Sequence, residues 1–346
     1  MAAVPERSAG ESGQPDPERG HAQNIFIFRT LAAKKAAKEL AEKTNTTRIQ
    51  VAEKRLTAMR EGATELGWWL HDLMRHGLAG VAHQAPDFWA TMARRMVDAK
   101  LGGLARRIRL MEDVLQTEGW PTLVLEELAL LHLAVEGFER YETLPDGLWA
   151  DLLQTAGLNF KKEEVLSQAH LVVNDRWQVL GYREGEEEKL RYRRTWLAGE
   201  ASNRFALLLD YAWGRNEFEN LWQRGQVLEA DLTYYPSAYP LRALLQAPVV
   251  VESQGVILRG LPDFEAMTTA YAAALAANPW LHAFPVLLNG VLPVMEGGQF
   301  YLLDEARRRM PLNGSRETCW KLMAMSAGHP IQVFGEWNGR ELLCNI

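Results

Sequence analysis

NDRWQVLGYREGEEEKLRYRRTWLAGEASNRFALLLDYA, residues 174–212, is where the hydrophobic pattern changes period. Arg176–Arg183 and Leu190–Ala198 are rich in aromatic and β-branched residues and flank the acidic run EGEEEK, so they read as strands joined by an acidic turn. Phe205, Leu207, Leu209 and Tyr211 alternate with Ala206, Leu208 and Asp210, which predicts a third strand. From Ile25 to about Gly157 the spacing is helical.

Upstream, Arg29–Arg60 is dense in strong helix formers, free of proline and basic, with Lys34, Lys35, Lys38, Lys43, Arg48, Lys54, Arg55 and Arg60 outnumbering Glu39, Glu42 and Glu53. Leu66, Trp69, Leu70, Leu73 and Gly77 follow a three-to-four spacing, as do Phe88, Met92, Met96 and Ala99 after a possible Asp87 cap. Leu104, Ile108, Met111 and Leu115 form another stripe. Trp120-Pro121 opens a helix through Val124, Leu128, Leu131, Val135 and Phe138, and Pro145 opens one through Leu148, Leu152 and Leu153. Short connections between such helices predict an antiparallel bundle or array.

Downstream, Val227–Tyr235 reads as a strand and Pro262–Ala277 as a helix. Val291–Met295 and Gln299–Leu303 flank Gly297-Gly298, Thr318–Met325 reads as a short helix, and Ile331–Trp337 and Arg340–Cys344 flank Asn338-Gly339, a strong hairpin signal. The expected fold class is α+β: a helical domain over 25–170, then a mixed, largely antiparallel α+β domain over 171–346. Residues 1–24, rich in Pro, Gly, Ser and charge, predict a disordered tail without the apolar stretch of a secretory signal.

At 346 residues, 47% hydrophobic and 24% charged, the chain is a globular protein with material for two or three cores. A net charge of -6 argues against a dedicated nucleic-acid coat, although not against a local basic face. Two cysteines and no bilayer-length apolar run predict a cytoplasmic protein without a disulfide.

Chemistry-bearing patterns are sparse. The chain contains neither GxxxxGK[ST] nor GxGxxG after a strand, which argues against nucleotide hydrolysis. His71 and His76 are five apart, on different helix faces, and with His83 read as surface histidines rather than zinc ligands. Cys319 and His329 carry no supporting nucleophile signature, and Cys319 beside Trp320 reads as a packed apolar residue. The expected sets are therefore no catalytic residue, no cofactor and no metal.

Three basic groups remain as candidate nucleic-acid contacts: Lys34 and Lys35 on the first helix; Arg94, Arg95, Arg106 and Arg107; and Arg191 and Arg193 beside Tyr192 and Trp196. Charge interleaved with aromatics on a strand suits phosphate contact and base stacking, whereas a solvated face neutralised by Glu184–Glu188 is the simpler expectation. Arg307–Arg309 reads as a polar loop or strand edge. Tyr234, Tyr235 and Tyr239 alternate with Pro236 and Pro240 and, with Trp337, are the candidate protein-interaction residues, weighed against packing. Trp196, Trp213 and Trp280 are expected to fill core space.

Taken in order, the blocks GWWLHDLMRHGLA (67–79), FWATMARRMVDAKLGGLARRIR (88–109), ELALLHLAVEGFER (127–140), residues 174–212, ADLTYYPSAYPLRALL (230–245), AYAAALAANPWL (270–281) and GHPIQVFGEWNGREL (328–341) resemble the non-finger body of bacterial SWIM zinc-finger family proteins. The family's CxC…CxH zinc element has no counterpart here, so no residue inherits the zinc role; the chain reads as a fingerless member, a truncation, or a product started downstream of the finger. The resemblance implies a partner role beside a MoxR-type AAA+ ATPase and a von Willebrand factor A protein. The leading expectation is a non-catalytic, protein-binding adaptor or scaffold. The alternatives are nucleic-acid binding through the basic helices, and an enzyme that gathers distant groups such as Asp210, Asp231 and His329.

Overall fold

The computed structural model describes residues 51–78, 80, 87–187, 190–214, 216–218, 220–251 and 256–344. The expected tail over 1–24, Lys34, Lys35, His83 and Lys189 lie outside the described residues. Residues 51–346 make one unit, in which helix gives way to strand at Val172.

The helical part contains α1 (Glu53–His76), α2 (Phe88–Asp98), α3 (Gly102–Val114), α4 (Trp120–Glu139), α5 (Asp146–Thr155) and the short α6 (Lys162–Leu166). The stripes seen in the sequence face inward: Leu66, Leu70 and Leu73 on α1, Met92 and Met96 on α2, Leu104, Ile108 and Met111 on α3, and Val124, Leu128, Leu131 and Phe138 on α4 are all buried. Trp69, Phe88 and Trp89 form an aromatic cluster with centroids 5.2–5.6 Å apart where α1 meets α2. Gly103 lets α3 press on the end of α5, because a Cβ there would lie 2.1 Å from the Thr155 carbonyl oxygen. Asp87 stands at the N-cap of α2 but makes no side-chain cap bond.

Sheet one has the order β3-β2-β1-β4-β5, all antiparallel, from β1 (Val172–Glu187), β2 (Leu190–Gly199), β3 (Phe205–Trp213), β4 (Val227–Tyr234) and β5 (Ala243–Val251). The expected acidic turn is corrected here: β1 runs on to Glu187, leaving residues 188–189 between the strands. Register explains the extension, since Glu184 lies opposite Arg193 and Glu186 opposite Arg191, so opposite charges pair across the strands. The sheet curls until its edges meet. The Leu207 amide donates to the Leu241 carbonyl at 2.7 Å, and the Tyr234 hydroxyl donates to the Phe205 carbonyl at 2.9 Å. Trp177, Leu197, Leu208, Leu228 and Tyr234 fill the concave side.

After α7 (Phe264–Ala277), five strands close a barrel in the order β10-β8-β7-β6-β9: β6 (Phe284–Glu296), β7 (Gln299–Leu303), β8 (Arg309–Asn313), β9 (Ile331–Trp337) and β10 (Leu342–Cys344), with α8 (Arg316–Ser326) between β8 and β9. β10 closes it by pairing parallel with β8 and antiparallel with β9. Gly297 and Gly298, at φ 59° and 82°, make the two-residue turn between β6 and β7. Strands β5 and β8 were not expected from the sequence; each contains a proline, Pro248 and Pro311, and β5 lacks alternation, whereas β8 alternates but is only five residues long. Arg309, expected in a loop or strand edge, begins β8. Val286, Leu302, Leu312, Val333 and Leu342 share the barrel core with Cys319 and Cys344.

Barrel and sheet one are joined at a buried carboxylate. Glu336 on β9 is only 4% exposed. It accepts from the Trp196 indole at 2.7 Å and pairs with Arg194 through contacts of 3.1 and 3.4 Å. Apolar contacts surround the pair, with Trp196 against Phe334 at 6.3 Å and Leu287 in the same cluster. Arg194→Met leaves this carboxylate without its cation and is expected to cost about 3–5 kcal/mol in chemical denaturation, whereas Arg194→Met with Glu336→Gln recovers most of the loss. Equal losses for the single and double variants would contradict this account.

Candidate functional site

The helical part, sheet one and the barrel meet around a cleft of about 750 Å³. Its walls come from α3 (Gly103, Arg106, Arg107, Leu110), α5 (Asp151, Gln154, Thr155), the outer face of β1–β3, the 235–242 loop and the 278–283 loop. Five arginines line it, Arg106, Arg107, Arg183, Arg194 and Arg242, against one carboxylate, Asp151.

Strand register arranges the sheet wall. Cross-strand partners share a face, so three rows lie side by side. Gly185, Tyr192 and Tyr211 form one row, Arg183, Arg194 and Leu209 the next, and Gly181, Trp196, Leu207 and Arg242 the third. Gly185 is the seat of Tyr192: a Cβ at 185 would lie 2.4 Å from the Tyr192 ring. Tyr211 is 52% exposed. Nε of Arg183 is buried without a hydrogen-bond partner. The Arg242 guanidinium lies 4.2 Å over the Tyr235 ring.

Across the cleft, Arg107 reaches Glu127 at 2.9 Å and His282 at 3.0 Å. Enclosure and the charges of Arg107, Arg194 and Arg106 pull the His282 pKa down to about 4. The ring is therefore neutral near pH 7, and its Nε2 accepts from Arg107. The Trp280 indole donates to the Leu130 carbonyl at 3.1 Å, which ties the 278–283 loop to α4. Helix α5 grips the 235–242 loop: Asp151 accepts from the Ala238 amide at 2.9 Å, Gln154 donates to the Pro236 carbonyl at 3.0 Å, and Gly147 packs on the backbone at Ser237–Ala238.

The sequence candidates separate. Arg106 and Arg107 line the cleft, whereas Arg94 bonds Thr91 at 2.9 Å and Arg95 pairs with Glu65 at 2.6 Å on exposed α2. Arg191 and Arg193 face the other side of β2 and both pair with Glu184. Arg193, expected on a solvated face, is 4% exposed and lies 3.8 Å over the Tyr182 ring. Tyr234 and Tyr235 are buried rather than displayed; Tyr235 forms part of the cleft wall, as does half-buried Tyr239. Trp337 packs edge-on to Tyr271 at 6.5 Å, outside the cleft. Trp213, expected in the core, is 67% exposed. None of Asp210, Asp231 and His329 lines the cleft; Asp231 instead accepts from Asn174 at 2.7 Å. His71 and His76 are exposed on α1.

Arg183, Arg242, His282 and Tyr211 were not singled out as site residues. The alternation around Arg183 and Tyr211 held a signal for which strand residues share a face. Nothing local marked Arg242 or His282, which reach the cleft only through the folding of distant loops.

Cys319 and Cys344 are buried free thiols, and burial raises both pKa values, that of Cys344 to about 12. They are poor nucleophiles in the folded protein. At pH 8 an aromatic disulfide reagent is expected to leave both unreacted in the native chain and to titrate both after denaturation; prompt native labelling would contradict this assignment. Asp151 has a carboxyl pushed up to about 6 by burial, against the opposing bonds from Ser237 and Ala238. Its folded pKa lies above the unfolded value of 3.8, so its stabilising contribution is complete below about pH 4 and is lost as pH rises through about 6. Asp151→Asn is expected to gain stability relative to the wild type across that window, by up to about 3 kcal/mol at pH 7.5. A difference that stays flat with pH, measured by denaturant titration, would contradict the assignment.

Residues 54–156 match the SWIM-associated four-helix bundle domain. That span takes in nearly all of α1 and the whole of α2 to α5. Comparison with curated proteins and with solved structures finds no significant match. Over residues 54–156 the helical part of this chain thus matches the SWIM-associated four-helix bundle domain, which is consistent with the resemblance of the sequence blocks to the body region of SWIM zinc-finger proteins.

Proposed function

We propose that this chain is a non-catalytic adaptor of the SWIM family and that the arginine-lined cleft is its binding face. The observation that carries the reading is the convergence of five arginines and a single carboxylate on one concave surface. Arg107 and Arg194 are already matched by Glu127 and Glu336, so they brace the walls. Arg183 and Arg242 also line the cleft, Arg242 with its guanidinium on the Tyr235 ring, and a planar guanidinium fork suits a carboxylate or phosphate. Enzymatic chemistry is less well supported: the buried cysteines carry raised pKa values, and the one lining carboxylate holds a backbone loop.

The family resemblance makes a MoxR-type AAA+ ATPase the first partner to test, in the cytoplasm of a bacterial cell. Affinity purification of the full chain at native expression is expected to recover such an ATPase in stoichiometric amount. Arg183→Glu with Arg242→Glu is expected to reduce that recovery at least tenfold while leaving the melting temperature within a few degrees. A wild-type chain that elutes alone overturns the adaptor reading. Recovery unaffected by the charge reversals moves the binding face away from the cleft.

A further inference from the structure

The outer face of β1–β3 carries its charge and its aromatic rings in separate, adjacent rows. The Tyr192–Tyr211 row lies near the start of β2 and the end of β3, with Trp213 one step further along the same face of β3. Tyr211 and Trp213 are 52% and 67% exposed, uncommon for rings that size without a partner. The next row inward holds Arg183 and Arg194, and the row beyond it reaches Arg242. Successive same-face residues on a strand are about 6.5–7 Å apart, a step comparable with the distance from a nucleotide's base to its phosphate. Tyr192 rests against Gly185, where a Cβ would collide with its ring, so its position is set before any ligand arrives. An acidic peptide would use the arginines alone and leave the exposed rings without a role. A ligand with both a planar ring and a phosphate uses both rows.

We infer that this face binds a nucleoside phosphate, free or within a single strand, with its base on Tyr192 and Tyr211 and its phosphate on Arg183 in the adjacent row. The inference rests on the reading of the cleft as the binding face and names what that face takes. Arg194 stays on Glu336 and supplies field rather than contact. Stacking tolerates any base, so the site discriminates weakly by sequence. Duplex DNA buries its base faces and is excluded from the tyrosine row.

The test is fluorescence anisotropy of the full chain with a short labelled oligothymidylate. Thymidine monophosphate, duplex DNA and a polyglutamate peptide serve as competitors. Binding is expected at low salt and to weaken steeply between about 50 and 200 mM. Tyr211→Ala removes a half-exposed ring without touching the core and is expected to weaken binding about tenfold. Arg183→Glu is expected to weaken it further, while Arg94→Ala and Arg191→Ala, away from this face, change it less than twofold. Competition by the monophosphate at equal affinity identifies a free nucleotide as the source, and competition by the strand alone identifies single-stranded nucleic acid. Absence of binding at low salt overturns the inference. So does binding indifferent to Tyr211→Ala, or displaced equally well by polyglutamate. Either failure leaves the adaptor reading intact if ATPase recovery still depends on Arg183 and Arg242.

Discussion

The contact between Glu336 and the Arg194–Trp196 pair ties the two β-structures of this protein together. A carboxylate at 4% exposure is tolerable only because a guanidinium fork and an indole N–H meet it. The same contact sets the site. Arg194 and Trp196 lie two residues apart on β2 and therefore share a face, so holding both against the barrel turns that face toward α3 and α5. The cleft is the space left where the helical part approaches a corner already closed by this clamp.

The two faces of β2 show how strand period sorts like charges into different roles. Arg193 is neutralised by Glu184, bonds the Trp222 carbonyl at 2.9 Å and covers Tyr182 on the concave side. One residue later, Arg194 lines the cleft. The run LRYRRTW thus supplies a buried structural cation and a site cation from adjacent positions, and net charge conceals the local concentration of arginine at the cleft.

Most secondary structure was legible because its signals are local. The helical stripes of α1–α4, the prolines opening α4 and α5, and the turn at Gly297-Gly298 state their roles within a few residues, while Asn338-Gly339 marks a hairpin whose connection runs over 338–341, because β10 begins at Leu342 rather than at Arg340. The proline-containing β5 and β8 were not legible, since the pairing that makes them strands comes from neighbours, and neither was the closure of the barrel through a parallel β8–β10 ladder. The acidic run was misread as a turn because its partners, Arg191 and Arg193, become visible only once the register is known. The cleft was legible in part. Arg106 and Arg107 were named for their basicity, and Tyr235 and Tyr239 for their proline-bounded spacing, but Arg183, Arg242 and His282 are joined to them only by topology.

The grip of α5 on the 235–242 loop and the bond from Trp280 to Leu130 give the cleft a thermodynamic property. Its walls come from segments as far apart in sequence as Gly103 and Ala283, so no stretch of chain presents the site before all of them have docked. An anion in the cleft therefore recognises the assembled state and favours it by mass action, by about 2.7 kcal/mol at a hundred times the dissociation constant. If the cleft takes the ligand proposed for it, its occupancy would report on completed folding, and a partner that reads occupancy would distinguish finished chains from unfinished ones.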